Sequence, residues 1–358
     1  LGDEGIGYYN TAYYAYTIVL LISSYSIPSA ISKVIAQKLA VKEYRTAHRI
    51  FQCAFIYVLV GGSVASLFVF FGAGLLVQIE AAIPALRVLA PTIFLSGILG
   101  VLRGYFQAHK SMVQTSVSQI VEQILNAVFS ILMAYLLLQA AGGTQSENGL
   151  AYGAAGGAIG TGIGVLAALL FMVWLYLVNR PFLKRRILHD TGHKEESYQE
   201  IFKMIIMVVT PFILSTFIYN ANTFINQTLY QQLMMDLHGL TDAGVAAHTG
   251  IVGKAVKVSN IPIALSSAMA SALIPGISGE YAKKNLKETR NQVARAVKAT
   301  MLISIPAAVG MGVLAKPVML VLYPQKASID LSSSLVMVLS VSVLVYAVCS
   351  LSTAVLQS

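Results

Sequence analysis

The chain has 358 residues, of which 56% are hydrophobic and only 11% are charged, whereas a soluble globular domain carries roughly 25% charged residues. This balance, with a mean hydropathy of +0.72, excludes an ordinary soluble domain and predicts a membrane protein. The formal net charge is +9. Because Lys and Arg in a membrane protein first determine its topology, this charge does not predict a nucleic-acid partner.

Long apolar runs without alternation predict membrane-spanning helices rather than barrel strands, since a helical span needs about 20 apolar residues. About nine such segments follow in chain order, at residues 9–36, 51–77, 86–106, 117–138, 151–178, 205–233, 251–274, 297–322 and 335–356. The predicted fold class is therefore all-α, a polytopic, multi-pass membrane protein.

The basic residues predict the orientation. Most of the 24 Lys and Arg residues fall in alternate turns, at 33–49, 103–110, 180–203 and 283–298, while few lie in the other turns, at Arg87, Lys316 and Lys326. The positive-inside rule places the basic turns in the cytoplasm and residue 1 outside. If the true N-terminus is cytoplasmic, we therefore expect one more helix before residue 1.

One pattern recurs in the two halves of the chain. Ile27-Pro28, followed by Lys42-Glu43-Tyr44-Arg45, matches Ile274-Pro275, followed by Lys287-Glu288-Thr289-Arg290. Both copies are an apolar helix, a basic inner turn and a second apolar helix. The first copy begins at the first segment and the second copy at the seventh, which is a shift of six segments, an even number. The pattern predicts two parallel repeats with the same orientation.

Two lysines lie within the seventh apolar segment, where a charge is costly unless it faces water or a partner. Lys254 and Lys257 are three residues apart on one helical face, with Asn260 close by. Two cations on one stripe suit an anion such as a pyrophosphate in a wet cavity. Alternatively, Lys254 snorkels to the outer interface and Lys257 pairs with a carboxylate.

The fourth segment carries a polar stripe at helical spacing, formed by Gln119, Glu122, Gln123 and Asn126. Such a stripe faces protein or water rather than lipid. Glu122 either pairs with a cation or couples transport to an ion, or it forms a structural hydrogen bond between helices.

The sixth segment carries a second stripe, which includes Tyr219, Asn222 and Asn226. Amides and hydroxyls of this kind suit sugar hydroxyls, and they equally join helices to one another. Arg103 lies at an inner helix end, where it acts either as a topology anchor or as a substrate contact.

No cofactor or metal site is predicted. Glycines at 153, 156, 157, 160 and 164 have the spacing of a helix-packing surface rather than of a nucleotide-binding loop. His189 and His193 have no obvious third metal ligand. The sequence shows no nucleophile, base and acid grouping, so we do not expect an enzyme.

Several motifs resemble one transporter superfamily. Leu102-Arg103-Gly104-Tyr105-Phe106-Gln107, with Ser118, Gln119, Glu122 and Gln123, resembles the fourth and fifth helices of the polysaccharide-transport (stage V sporulation protein B-like) branch of the multidrug/oligosaccharidyl-lipid/polysaccharide flippase superfamily. The stretches at 215–220, 260–265 and 274–278 are similar to its seventh and eighth helices. The similarity covers essentially the whole chain.

The resemblance implies a MATE-like fold of two helical bundles around a central cavity. Residues 1–185 would form the N-terminal lobe, with helices 2–6, and residues 186–358 the C-terminal lobe, with helices 7–10; the first and last helices would be missing. It implies a monomer in the bacterial cytoplasmic membrane, in contact with membrane lipids, that flips a lipid-linked glycan by alternating access. Lipid II, the undecaprenyl-pyrophosphate-linked peptidoglycan precursor, is the leading candidate in this branch.

Related sequences often have an acidic residue where this chain has Asn226, so the resemblance does not carry an ion-coupling role to that position. Transport would be driven by Na⁺, by H⁺ or by the membrane potential. Two alternatives remain at this point. One is a MATE-type multidrug/cation antiporter, and the other is a membrane glycosyltransferase or ligase that acts on the same lipid.

Overall fold

The computed structural model describes residues 1–25, 27–109, 111–188, 197–282 and 284–357. Within these ranges the side chains at 24, 25, 29, 145, 147, 182–188, 212, 215, 216, 219, 267–282, 326, 354, 356 and 357 are not described. The regular structure of the described ranges is helical, in agreement with the predicted fold class.

Twelve α-helices follow one another in these ranges: α1 (Gly2–Leu20), α2 (Ile27–Ala40), α3 (Tyr44–Phe71), α4 (Ala73–Leu76), α5 (Ile83–Ala108), α6 (Met112–Ala140), α7 (Glu147–Leu188), α8 (Tyr198–His238), α9 (Asp242–Ala282), α10 (Leu286–Val313), α11 (Ala315–Leu322) and α12 (Ile329–Gln357). A π-helical segment, Leu21–Tyr25, separates α1 from α2. Short 3-10 turns precede α5, α7 and α12.

The predicted apolar segments all fall on helices. Among the described residues, 6 helical stretches are long and apolar enough to cross a membrane: Tyr44–Phe71, Glu80–Ala108, Met112–Ala140, Asn148–Pro181, Leu286–Val313 and Ile329–Thr353. The segments at 9–36, 205–233 and 251–274 are helical but are not among these six, so the predicted number of spans stays a prediction.

Three predicted segments are each divided in the structure. The segment at 51–77 is divided at Gly72, which ends α3 and precedes α4. The π-helical segment interrupts residues 9–36 immediately before Pro28, which lacks a backbone N–H and crowds the preceding turn. The segment at 297–322 is divided at Leu314, which ends α10 and precedes α11. Pro317 lies in the first turn of α11, where a missing N–H costs nothing, and this favours a new helix start at that point.

The recurring pattern appears in the backbone itself. Lys42 and Lys284 both adopt a positive φ, of 63° and 58°, a conformation uncommon for residues other than glycine. Each precedes a 28-residue helix, α3 or α10, and then a short helix, a 3-10 turn and a long apolar helix. The backbone therefore supports a repeat, but the counterpart of Lys42 is Lys284 and not the predicted Lys287, since the sequence match aligned side chains rather than the turn.

The chain packs as two compact units, unit 1 (Leu1–Ala247) and unit 2 (His248–Ser358). Unit 1 contains two apolar clusters, one around Phe51 and Tyr105 and the other around Tyr8 and Leu89. Unit 2 has a smaller cluster from α9, α11 and α12, centred on Met319. The lobes predicted for residues 1–185 and 186–358, and the cavity between them, stay predictions.

Helices α6 and α7 pack through the predicted glycine surface. A Cβ atom at Gly156 would lie 2.4 Å from the carbonyl oxygen of Met133, and one at Gly160 would lie 2.2 Å from the backbone nitrogen of Ser130. Only glycine allows such a close approach of two backbones. These contacts confirm that the glycine spacing is a packing device, and they fix the helix that carries the first polar stripe.

Candidate functional site

The side chain of Arg103, at the inner end of α5, is held by two residues of α6. Its Nε donates to Oγ of Ser118 at 2.9 Å, and its Nη2 lies 2.7 Å from Oε2 of Glu122. The exposed fractions are 14% for Arg103 and 19% for Glu122, so the ion pair is largely shielded. Its geometry is that of a charged link between two helices.

The residues around Arg103 position it by packing. A Cβ atom at Gly104 would lie 2.8 Å from the carbonyl oxygen of Pro28, so α5 approaches α2 at this point. Tyr105 is buried, and its ring centroid lies 4.6 Å from that of Phe51. The Arg-Gly-Tyr motif therefore combines one ion pair with the packing that holds it in place.

Asn126 lies where α6 meets α7. Its Oδ1 accepts hydrogen bonds from Oγ of Ser130 at 2.8 Å and from Oγ1 of Thr161 at 3.4 Å. Ser130 also donates to the carbonyl of Gly157. Asn126 thus joins two helices in this structure, which was one of the two roles expected for the stripe.

Other amides of the stripes lie on exposed surfaces of unit 1. Gln119 and Gln123 are exposed on α6, and Asn222 and Asn226 are exposed on α8. Nδ2 of Asn226 donates to Oδ1 of Asn222 at 3.1 Å. Exposed amides within apolar helices favour contact with water or a polar ligand over hydrocarbon. The side chain of Tyr219, also predicted, lies outside the described residues.

Lys254 occupies a different environment, in unit 2. Only 2% of its surface is exposed. Its Nζ donates to Oε1 of Gln325 and lies 5.3 Å from the ring centroid of Tyr323. Gln325 and Tyr323 are uncharged and belong to the loop between α11 and α12. The cation is therefore held by an amide oxygen and an aromatic face.

Burial raises the pKa of Tyr323 above its ordinary value. The phenol is consequently neutral at physiological pH, and its ring presents an electron-rich face to Lys254.

Lys257 follows Lys254 by less than one turn of α9, and its side chain is exposed. Asn260 is exposed as well, at the corresponding position of the next turn. The three predicted residues of unit 2 therefore share one side of a helix. The Lys254 side chain is enclosed, whereas the Lys257 side chain is accessible at the surface.

Sequence reasoning missed Tyr323 and Gln325 as partners of Lys254. Gln325 is 71 residues away along the chain, and both residues lie in a turn that has no apolar periodicity. The nearest sequence signal is the Tyr-Pro-Gln turn after α11, which ends a helix without identifying what its side chains contact.

The described residues contain no group of three His, Cys, Asp or Glu side chains that could hold a metal ion. His189 and His193, which the sequence pairs in one loop, lie outside the described residues.

Comparisons with known proteins identify related sequences along nearly the whole chain. The family described as "Lipid II flippase MurJ" matches residues 16–356. The lipid II flippase MurJ of Bacillus subtilis (strain 168) is 23% identical over 338 residues, which cover 88% of this chain and 59% of that protein. Stage V sporulation protein B of the same organism is 23% identical over 328 residues, which cover 90% of this chain and 61% of that protein.

The chain therefore spans about three fifths of the length of these curated relatives. Solved structures show the same fold. The inward-facing conformation of a multidrug resistance MATE family transporter of the MOP superfamily matches 99% of this chain and 78% of its own, with a TM-score of 0.74 and 19% identity. The outward-facing conformation of such a transporter matches 100% of this chain and 74% of its own, with a TM-score of 0.60 and 19% identity. The predicted MATE-like fold is confirmed.

Proposed function

The chain belongs to the lipid II flippase MurJ family, and from this premise we propose that it forms the larger part of a flippase for lipid-linked cell-envelope precursors. The substrate class is an undecaprenyl-pyrophosphate-linked glycan, with lipid II as the first candidate. The protein acts by alternating access in the bacterial cytoplasmic membrane, as a monomer surrounded by membrane lipids. Its family consists of transporters, not enzymes, and no cofactor enters the proposal.

One observation carries the choice of substrate: two lysines share one side of α9, and one of them is buried against an amide and an aromatic ring. Lys254 contacts the Gln325 amide and the Tyr323 ring, and Lys257 is exposed on the same side of α9. A pyrophosphate offers charged oxygens to both ammonium groups. A pyrophosphate oxygen carries negative charge and the Gln325 amide oxygen does not, so contact with pyrophosphate adds a Coulomb attraction to Lys254 that the amide contact lacks.

The exposed amides suit the remainder of the substrate. Gln119, Gln123, Asn222 and Asn226 of unit 1, and Asn260 of unit 2, present donors and acceptors of the kind that sugar hydroxyls require. We assign the amides of each unit to sugar contacts, and Lys254 and Lys257 of unit 2 to the pyrophosphate. Arg103 and Asn126 are assigned to structural roles, because each already links two helices.

The ion pair between Arg103 and Glu122 affects which driving force we propose for transport. Glu122 is already paired with Arg103 at 2.7 Å, so an exchange of ions at this carboxylate would first have to break the ion pair. The membrane potential is therefore the preferred driving force over H⁺ or Na⁺ exchange at Glu122. The same pair disfavours the drug/cation antiporter, which would need that carboxylate for exchange. A glycosyltransferase or ligase would need acidic motifs that the sequence does not show.

The proposal is tested by growth rescue of cells depleted of their lipid II flippase, with the whole protein expressed from a plasmid. Lys254→Gln combined with Lys257→Gln should abolish rescue without lowering the amount of protein in the membrane. Lys298→Gln is the matched control, because Lys298 is an exposed cation on α10, and it should rescue normally. Unimpaired rescue by the double variant would remove the anion site from the proposal.

A further inference from the structure

A groove on the surface of unit 1 lies between α3 and the first turns of α8, apart from the residues assigned to substrate. Its volume is about 720 Å³. The walls are mostly apolar, and the residues that matter here are Cys53, Ile56, Phe202, Lys203, Ile206 and Met207. Ile56, Phe202, Ile206 and Met207 are exposed, and Cys53 is buried behind them.

One end of the groove is basic. Lys203 lies on its rim and is exposed. The guanidinium carbon of Arg49 lies 5.4 Å from the ring centroid of Tyr198, which also lines the groove. The nearby carboxylate of Glu200 accepts a hydrogen bond from the Ser197 backbone at 3.0 Å, so it caps the start of α8.

The cations and the apolar walls lie at different depths. Arg49 and Lys203 are each two residues before a predicted apolar segment, on the side that the positive-inside rule places in the cytoplasm. At 1.5 Å per residue, Ile56 lies about 10 Å further into the membrane than Arg49, and Met207 about 6 Å further than Lys203. The groove therefore runs from the level of the lipid headgroups into the hydrocarbon.

From this geometry we infer that the groove binds an anionic phospholipid of the inner leaflet. The phosphate lies between Lys203 and Arg49, and one acyl chain lies along Ile56, Phe202 and Met207. Charge complementarity decides the headgroup, because basic sites at the cytoplasmic surface attract anionic lipids. The apolar walls accept the chain of any lipid, so selectivity resides in the two cations. This inference does not depend on which glycan the protein transports.

The test measures lipid preference at the groove by fluorescence. Trp174, the single tryptophan of this chain, and any tryptophan in the remainder of the whole protein are replaced by phenylalanine, and Phe202→Trp then places the fluorophore in the groove. The whole protein is reconstituted into phosphatidylcholine vesicles that contain either brominated phosphatidylglycerol or brominated phosphatidylcholine, because bromine quenches tryptophan on contact. The ratio of quenching by the two lipids gives their relative affinity.

Phosphatidylglycerol should be preferred by about fivefold for each cation that contacts it, which corresponds to about 1 kcal/mol per basic residue at a membrane surface. Lys203→Gln with Arg49→Gln should reduce the ratio of quenching by phosphatidylglycerol to quenching by phosphatidylcholine to one. Quenching by phosphatidylcholine should persist, which would show that the groove is intact. Lys298→Gln, which removes a cation from α10, should leave the preference unchanged.

Three results would overturn the inference. The first is equal quenching by the two lipids in the parent protein. The second is a preference that survives the double substitution, or that Lys298→Gln removes equally. The third is fluorescence that neither brominated lipid quenches, which would show that protein rather than lipid covers the groove.

Discussion

Arg103 in unit 1 and Lys254 in unit 2 are both cations shielded by packed helices, yet their partners differ in charge. Arg103 contacts the carboxylate of Glu122 and the hydroxyl of Ser118. Lys254 contacts the amide of Gln325 and the ring of Tyr323, both neutral. The Glu122 carboxylate compensates the charge of Arg103, whereas the Gln325 amide and the Tyr323 ring bring no negative charge to Lys254. The comparison separates a structural charge from a charge suited to binding.

The largest expected effect is on the free energy of unfolding, and it follows from removing Arg103, the cation that a carboxylate compensates. Arg103→Gln leaves the Glu122 carboxylate without its ionic partner and should lower the free energy of unfolding by about 3 kcal/mol, at the lower end for buried pairs because both side chains retain some exposure. Unfolding of the purified protein in detergent measures this. Arg103→Met with Glu122→Leu should recover most of the loss, and a stable single variant would contradict the structural role.

The second effect follows from replacing the neutral Gln325 neighbour of Lys254 by a carboxylate. Gln325→Glu places a carboxylate beside Lys254, which should then bind undecaprenyl pyrophosphate about tenfold more weakly, a loss near 1.4 kcal/mol. Gln325→Met is the matched neutral control and should stay within about twofold of the parent protein. Equal binding by the two variants would show that Lys254 does not meet the substrate.

A smaller effect on stability is expected for Lys254 itself. Lys254→Met removes a buried charge and keeps an unbranched side chain, so the free energy of unfolding should change by no more than about 1 kcal/mol. The same detergent measurement compares it with Arg103→Gln. If both substitutions destabilise the protein equally, the distinction between the two cations is wrong.

The smallest effect concerns the aromatic partner. Tyr323→Phe retains the ring face and should leave stability unchanged, whereas Tyr323→Leu removes it and should lower the free energy of unfolding by about 0.5 kcal/mol. A loss caused equally by Phe would instead indicate that the hydroxyl is the important group.

The sequence predicted the helices because apolar runs have few alternatives in a membrane. It predicted the role of Gly156 and Gly160 because their spacing matches close helix packing. It placed the second repeat turn at Lys287 rather than Lys284, since positive φ at a lysine leaves no mark in the side-chain pattern.

The candidate site was predicted less completely, for a related reason. Polarity at bilayer depth identified Glu122 and Lys254, and the position at an inner helix end identified Arg103. Their partners depend on which helices and loops are adjacent, and a one-dimensional pattern does not contain that information. The periodicity that grouped Asn126 with Gln119 also could not distinguish a helix contact from an exposed amide, although the structure separates them.

The most direct test of the central claim compares the affinity of the purified whole protein for undecaprenyl pyrophosphate with its affinity for undecaprenyl monophosphate. Two lysines that share a pyrophosphate predict about tenfold tighter binding of the pyrophosphate, and Lys254→Gln with Lys257→Gln should make the two affinities equal. Equal affinities in the parent protein, or a preference that survives both substitutions, would contradict the assignment of these lysines to the substrate.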